Sequence, residues 1–144
     1  MNPVYLQKLS HKLGYFPPFA KILTYVIRLI FSCYLPYEVK IGKKFVLGYG
    51  GLGVVLHSKT IIGDDCHLNQ NVTLGGTSKK SGGPTLGNHV YIGAGAVVLG
   101  PIKIGDNVVI GANCVVVDDI PSGSLVVGVP GKIIKSGIKK SDYV

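Results

Sequence analysis

The chain contains no tryptophan and only four phenylalanines, and its seven acidic residues face fifteen lysines and arginines. Charged side chains make up 15% of the 144 residues while 47% are hydrophobic, a balance that excludes a disordered chain. With 21 glycines the sequence is also a poor helical bundle. It suits one domain of many short β segments joined by tight turns, with a small appendage. The three cysteines, Cys33, Cys66 and Cys114, form no CxxC pair and are odd in number, which argues against a disulfide framework and for a reducing cytoplasm. No Arg/Lys run is interleaved with aromatics, so no nucleic-acid partner is expected. The first residues lack the pattern of a cleaved signal. The one strongly apolar stretch, Ile22 to Leu35, is interrupted by Arg28 and is too short to span a bilayer. The net charge of +8 is spread over the N-terminal third, the Ser78–Lys80 region and the tail. It suits an anionic small molecule, such as the phosphates of a nucleotide cofactor, or an anionic membrane surface.

Residues 1–38 read as a helical segment. Asn2–Pro3 is a good N-cap followed by proline at the first helical position, with Gly14 as a stop and Leu6, Leu9 and Leu13 on one face. A second helix is predicted from Pro17–Pro18 to before Pro36. Lys21, Thr24, Arg28 and Ser32 form its narrow polar stripe, and Ile22, Leu23, Val26, Ile27, Leu29, Ile30 and Phe31 fill the rest. Such a helix is expected to bury most of its girth against the next domain or a neighbouring subunit. The basic stripe also allows residues 17–35 to contact a membrane surface.

From Val39 to Lys135 the organisation is a repeat. Aliphatic residues recur at steps of six: Ile62, Leu68 and Leu74, then Leu86, Ile92, Val98, Ile104, Ile110 and Val116. The next position, i+1, is mostly glycine or asparagine: Gly63, Asn69, Gly75, Gly87, Gly93, Gly105, Gly111. Position i+4 is small or aliphatic: Cys66, Val72, Val90, Ala96, Ile102, Val108, Cys114. Six residues make a short strand and a turn, and three such units close a triangular coil of roughly eighteen residues, one rung of a β-solenoid. The i residue fills the axis and the i+4 residue an inner corner, so Cys66 and Cys114 are core filler. Glycine or asparagine at i+1 is expected to serve an unusual turn conformation. Residues 136–144 read as a basic tail.

Two interruptions break the frame. Three extra residues fall in Gly48-Tyr49-Gly50-Gly51-Leu52-Gly53, and Gly76 to Pro84 replaces a unit of repeat with a polar, glycine-rich loop that is expected to leave the wall. A regular prism has flat faces, so a site belongs at such irregularities.

Four segments carry a family resemblance: Ile61-Ile62-Gly63-Asp64-Asp65, Asn71-Val72-Thr73-Leu74-Gly75-Gly76, Tyr91-Ile92-Gly93-Ala94-Gly95-Ala96 and Val127-Gly128-Val129-Pro130-Gly131-Lys132. With them the chain resembles the hexapeptide-repeat acyltransferases, in the serine acetyltransferase-like group that also holds sugar and polysaccharide O-acetyltransferases. The resemblance implies a left-handed parallel β-helix, a homotrimer, acetyl-CoA in the groove between adjacent prisms, and a histidine general base. It also marks departures. The ungapped match to the Asp-His histidine of serine acetyltransferases is Tyr49, the partner aspartate would fall near Tyr34, and no histidine lies between Gly76 and Thr85. The Gly50–His57 segment is similar to the polysaccharide- and small-molecule-modifying branch, where a histidine stands at this place.

Acyl transfer to an alcohol needs a base near neutral pKa, an oxyanion donor and two substrates held together. His57 occupies an i+1 corner where glycine or asparagine is the rule, directly after the glycine bulge, and such violations mark functional sites. It is the candidate base, with Gly75 and Gly76 beside it as backbone N–H donors. His67, at i−1, and His89, at i+3, read as solvated face residues, and His11 as a helix-surface residue. Glu38, Asp64 and Asp65 are near in sequence, but Asp64–Asp65 read first as turn residues. For acetyl-CoA, Gly93-Ala94-Gly95-Ala96 offers a small-residue wall, Val129 and Pro130 resemble the family's final turn, and Lys132 and Lys135 are placed to neutralise phosphates. No metal is expected. The expected function is acetyl transfer to a hydroxyl of serine, a sugar or a polysaccharide precursor. Two other readings remain: a non-catalytic trimeric scaffold, and a zinc hydratase of the γ-carbonic anhydrase type, which needs three converging histidines.

Overall fold

The computed structural model describes residues 2–144. The N-terminal part is a helical hairpin. Helix α1 spans Pro3–Lys12, and its cap is the predicted one, since the Asn2 side chain accepts from Val4 N–H at 2.8 Å. Helix α2 spans Pro17–Phe31 and stops at Ser32, which takes a left-handed conformation. It ends earlier than Pro36 because the solenoid has already begun. Tyr34 bridges Val55, and Cys33 and Leu35 are buried in the common core. Leu35 stands six residues before Ile41, so the repeat frame starts at Leu35 rather than at Val39.

Four turns of parallel β-solenoid follow. The first carries β1 (Lys40–Ile41), β2 (Val46–Leu47) and β3 (Val55–Leu56); the second, β4 (Ile61–Ile62), β5 (His67–Leu68) and β6 (Thr73–Gly75). The third carries β7 (Thr85–Leu86), β8 (Tyr91–Ile92) and β9 (Val97–Leu99); the fourth, β10 (Lys103–Ile104), β11 (Val109–Ile110) and β12 (Val115–Val116). Stacking gives three faces: β1-β4-β7-β10, then β2-β5-β8-β11, then β3-β6-β9-β12. Strand β13 (Ser124–Val127) adds to the second face in parallel, and β14 (Lys132–Ser136) pairs with β13 antiparallel. The register is one coil per step, as in Ile62↔Leu86 and Leu68↔Ile92. The six-residue frame is therefore an axial column, and its residues from Ile62 to Val116 are buried.

The i+1 rule has a different cause from the one expected. Gly63, Gly87, Gly93 and Gly105 do not have left-handed backbones; they are glycine because the next coil lies against them. A Cβ on Gly93 would stand 2.6 Å from Ala112 N, one on Gly105 2.5 Å from Ser122 N, and one on Gly63 would collide with Gly87 O. At the two edges that follow the first and second faces the left-handed residue is instead at i+3: Lys44, Asp65, Asn71, His89, Gly95, Asn107 and Asn113 all have positive φ. Asparagine and aspartate tolerate that region better than other side chains.

The edge between the first and second faces is laced by side chains that accept from the backbone one coil away. Asp64 takes Lys43 N–H, Asn88 takes Asp64 N–H, Asp106 takes Asn88 N–H and Ser122 takes Asp106 N–H, all at 2.6–2.9 Å. These satisfy turn N–H groups that the strands cannot reach. Asp64 is therefore a rung of this ladder.

Gly63→Ala is expected to lower stability by about 1–3 kcal/mol, because a backbone carbonyl cannot step aside as a side chain would; an unchanged thermal midpoint would contradict the close-approach reading. Burial pushes the Cys33 thiol up to about 11 and raises Cys66 and Cys114 too. Iodoacetamide at about pH 8 should therefore label none of the three readily until guanidinium unfolds the chain.

Candidate active site

The edge between the third face and the next turn of the first carries both His57 and the inserted loop. Strand β6 ends at Gly75, and residues 76–84 leave the wall as expected, with Thr77–Ser81 exposed and only a Thr77↔Lys80 bridge among them. The loop folds back over His57. A Cβ on Gly76 would stand 3.3 Å from His57 Nε2, and one on Gly83 2.9 Å from Nδ1 and 3.1 Å from Thr60 Oγ1. The half-buried ring thus lies between two glycines whose missing side chains leave room for it. The buried Thr60 hydroxyl, which has no hydrogen-bond partner in the structure, borders the same space.

His57 Nδ1 accepts from Lys59 N–H at 3.1 Å, so the neutral ring in this arrangement carries its proton on Nε2. Its side-chain bond is to backbone, and no carboxylate is hydrogen-bonded to it among the described residues. Gly76 N–H gives no backbone hydrogen bond among the described residues, and the space a Gly76 side chain would fill adjoins the Nε2 side of the ring.

The opposite border of the third face is the edge where the chain turns in from the second. Gly93, Ala94 and Gly95 lie there in the third turn, and the 128–131 turn caps the same edge: Gly131 N–H donates to Val115 O at 2.7 Å and Val115 N–H to Gly128 O at 3.1 Å. Val129, Pro130, Lys132 and Lys135 are exposed there and along β14. The proposed base with Gly75 and Gly76, and the proposed cofactor segments, therefore border one face whose outward residues are Val55, Thr73, Val97 and Val115. Two members of the small-residue wall are placed otherwise than expected. Ala96 is at 0% exposure and points to the axis, so it packs the core and presents nothing to a ligand. Gly93 is also buried, and the close approach of Ala112 accounts for its lack of a side chain.

The other histidines are not plain solvated residues. His67 packs edge-on against Tyr91, with ring centroids 5.2 Å apart, and its Nε2 is buried without a partner. Burial, and then the nearby Lys140, push its pKa down. His89 Nδ1 lies 2.9 Å from Asp65 Oδ2, and Lys140 Nζ lies 3.2 Å from Asp65 Oδ1 while donating to Asp65 O at 2.7 Å. The sequence frame held the signal for this cluster, since Asp65 and His89 both occupy i+3 one coil apart and stacking brings them together. His11 Nδ1 donates to Tyr37 O at 2.7 Å. His57, His67 and His89 sit on an edge, a face and a different edge, and no three His, Cys, Asp or Glu side chains converge as metal ligands among the described residues.

A family profile described as bacterial transferase hexapeptide (six repeats) matches residues 83–118. The serine acetyltransferase of Synechococcus elongatus is 44% identical over 126 residues, 85% of this chain and 51% of that protein. That of Staphylococcus aureus (strain Mu50) is 41% identical over 139 residues, 94% of this chain and 65% of that one. Among solved structures, the Brucella abortus serine acetyltransferase in complex with coenzyme A superposes with a TM-score of 0.88 at 32% identity, over 92% of this chain and 54% of that one. The soybean serine acetyltransferase complexed with serine gives 0.87 at 34% identity, over 92% and 56%. The chain spans about half to two thirds of the length of these curated relatives.

The hydrogen bond from His89, and then Lys140, hold the Asp65 carboxyl below its ordinary value of 3.8. A depressed carboxylate contributes stability that is present above its unfolded value and lost as pH falls through the folded one. Asp65→Asn should therefore lower the thermal midpoint at neutral pH, and the gap from wild type should close as pH falls below about 4. A gap that is constant down to that pH would remove the ion cluster as its cause.

Proposed function

Because the chain belongs to the serine acetyltransferase-like hexapeptide-repeat acyltransferases, we propose that it transfers the acetyl group of acetyl-CoA to an alcohol oxygen, with the serine hydroxyl first among acceptors. The observation that carries this reading is His57 held under a glycine-lined loop, at the border of a face whose far border carries the Gly93–Gly95 and Val129–Pro130 segments.

In this reading His57 takes the hydroxyl proton as the oxygen attacks the thioester carbonyl. The Nε2 lone pair is free only in the tautomer with the proton on Nδ1, which releases Lys59 N–H. That contact is a single long backbone bond, so its loss costs about 1 kcal/mol, and a bond from the acceptor hydroxyl to Nε2 offsets it. Gly76 N–H faces the developing oxyanion, and the absence of a side chain there lets the carbonyl come close. As the tetrahedral intermediate collapses, the C–S bond breaks and the imidazolium returns its proton to the departing thiolate. Lys132 and Lys135 on β14 neutralise the phosphates of the CoA end. The flat third face, with Val55 at 42% exposure, is closed by a neighbouring prism in a homotrimer. Tyr49, exposed with a left-handed backbone, stands where the Asp-His histidine would be. This favours including sugar and nucleotide-sugar hydroxyls beside serine as acceptors.

Thiol release from acetyl-CoA should depend on acceptor, and His57→Ala should lower kcat/KM by about 10²–10⁴-fold with little change in the thermal midpoint. A His57→Ala enzyme as fast as wild type would move the base to His67 or His89. No turnover with any acceptor, together with no acetyl-CoA binding by calorimetry, would leave the scaffold reading in its place.

A further inference from the structure

Helix α2 was expected to bury most of its girth, and within the chain it does not. Only Ala20, Thr24 and Ile27 are buried, all on one side, and Thr24 turns its hydroxyl back to Ala20 O. On the opposite side Phe19, Ile22, Tyr25, Leu29 and Ile30 are between 56% and 83% exposed. At about 100° per residue these five fall within a single strip along the helix. The strip runs into the hairpin apex, where Tyr15, at 93%, and Phe16 are also bare. An exposed apolar surface this continuous marks an interaction site.

The charges beside it are of one sign. Lys21 and Arg28, seven residues and so about two turns apart, lie together on one flank of the strip, and Lys12 is exposed at the end of α1. Residues 1–37 contain four lysines and arginines and no aspartate or glutamate. A second copy docked face to face through this surface would add cations and bring no acidic side chain from its residues 1–37 to offset them. An anionic bilayer meets both requirements, taking the apolar strip into its interface and the cations into its headgroups. No helix is long and apolar enough to cross a membrane among the described residues. The fifteen-residue α2, roughly 22 Å long, therefore lies in the plane of the interface. Tyrosine and phenylalanine are suited to that depth.

We infer that the α1–α2 hairpin is a peripheral membrane dock, which seats the solenoid on an anionic lipid surface through Phe19, Ile22, Leu29 and Ile30 with Lys21 and Arg28 on the headgroups. The test is sedimentation of the full chain with phosphatidylcholine vesicles, with and without phosphatidylglycerol, run beside light scattering in the absence of lipid. Wild type is expected to sediment with the phosphatidylglycerol vesicles, less with phosphatidylcholine alone, and less as salt is raised. Ile22→Glu/Leu29→Glu should cut the partition coefficient at least about tenfold, and Lys21→Glu/Arg28→Glu should remove the preference for anionic lipid. Both pairs are exposed, so the thermal midpoint and thiol release from acetyl-CoA should be unchanged. Wild type left in the supernatant with both lipids overturns the inference, as does an Ile22→Glu/Leu29→Glu protein that sediments like wild type. If wild type binds no vesicles and its mass in solution falls in that variant, the strip belongs to a second copy.

Discussion

The constraint on which the rest of this structure depends is axial: each coil must lie on the one below at strand spacing, about 4.8 Å. Strands of two or three residues cannot hold a register alone. Each gains it from the coils above and below, and every turn must also stack. Glycine stands at i+1 because a neighbouring backbone occupies the place of a Cβ, as at Gly63 against Gly87. At the two edges after the first and second faces the i+3 residue turns left-handed to round the corner, and asparagine or aspartate stands at four of those positions, Asp65, Asn71, Asn107 and Asn113. Asp64, Asn88, Asp106 and Ser122 then tie the turn N–H groups of one coil to the next. The core residues only fill the tube that this stacking closes.

The regular faces of such a prism are flat, so a site is expected where stacking is suspended. The Gly48–Gly53 bulge and the 76–84 loop are those places. The loop costs the core little, because Leu74 and Leu86 continue the axial column on either side of it, at 0% and 2% exposure. Its glycines then serve the site. Gly76 and Gly83 give His57 a slot in which both ring nitrogens are confined, on the edge where the other coils carry Gly75, Leu99 and Val117 at i+1.

What was legible in the sequence follows the same division. The axial column from Ile62 to Val116, the helix cap at Asn2 and the departure of the loop were readable, because each rests on periodicity or on local backbone chemistry. The start of the repeat frame at Leu35 was hidden by its apolar continuity with α2, where Leu35 reads equally as helix or coil. The roles of i+1 and i+3 were exchanged, because both positions favour glycine and asparagine and only the stacked neighbours separate close approach from left-handed backbone. Ala96 looked like a ligand wall from its glycine neighbours, yet its own i+4 register had already assigned it to the core. The single-sided burial of α2 was not readable at all, since an apolar helix carries no sign of which of its faces finds a partner.

The two histidine environments differ in what holds each ring. His89 has one, but the same aspartate is held by Lys140, whose ammonium also donates to Asp65 O. That carboxylate is largely occupied in fixing the C-terminal segment to the edge, and the edge lies away from the third face. His57 has none, and as the proposed base it would work without one at a loss of rate. It has glycine on both sides, and its Nδ1 accepts a single 3.1 Å bond from Lys59 N–H. Orientation here is supplied by confinement between stacked backbone and loop, the same close approach of main chains that sets the glycine rule through the rest of the coil.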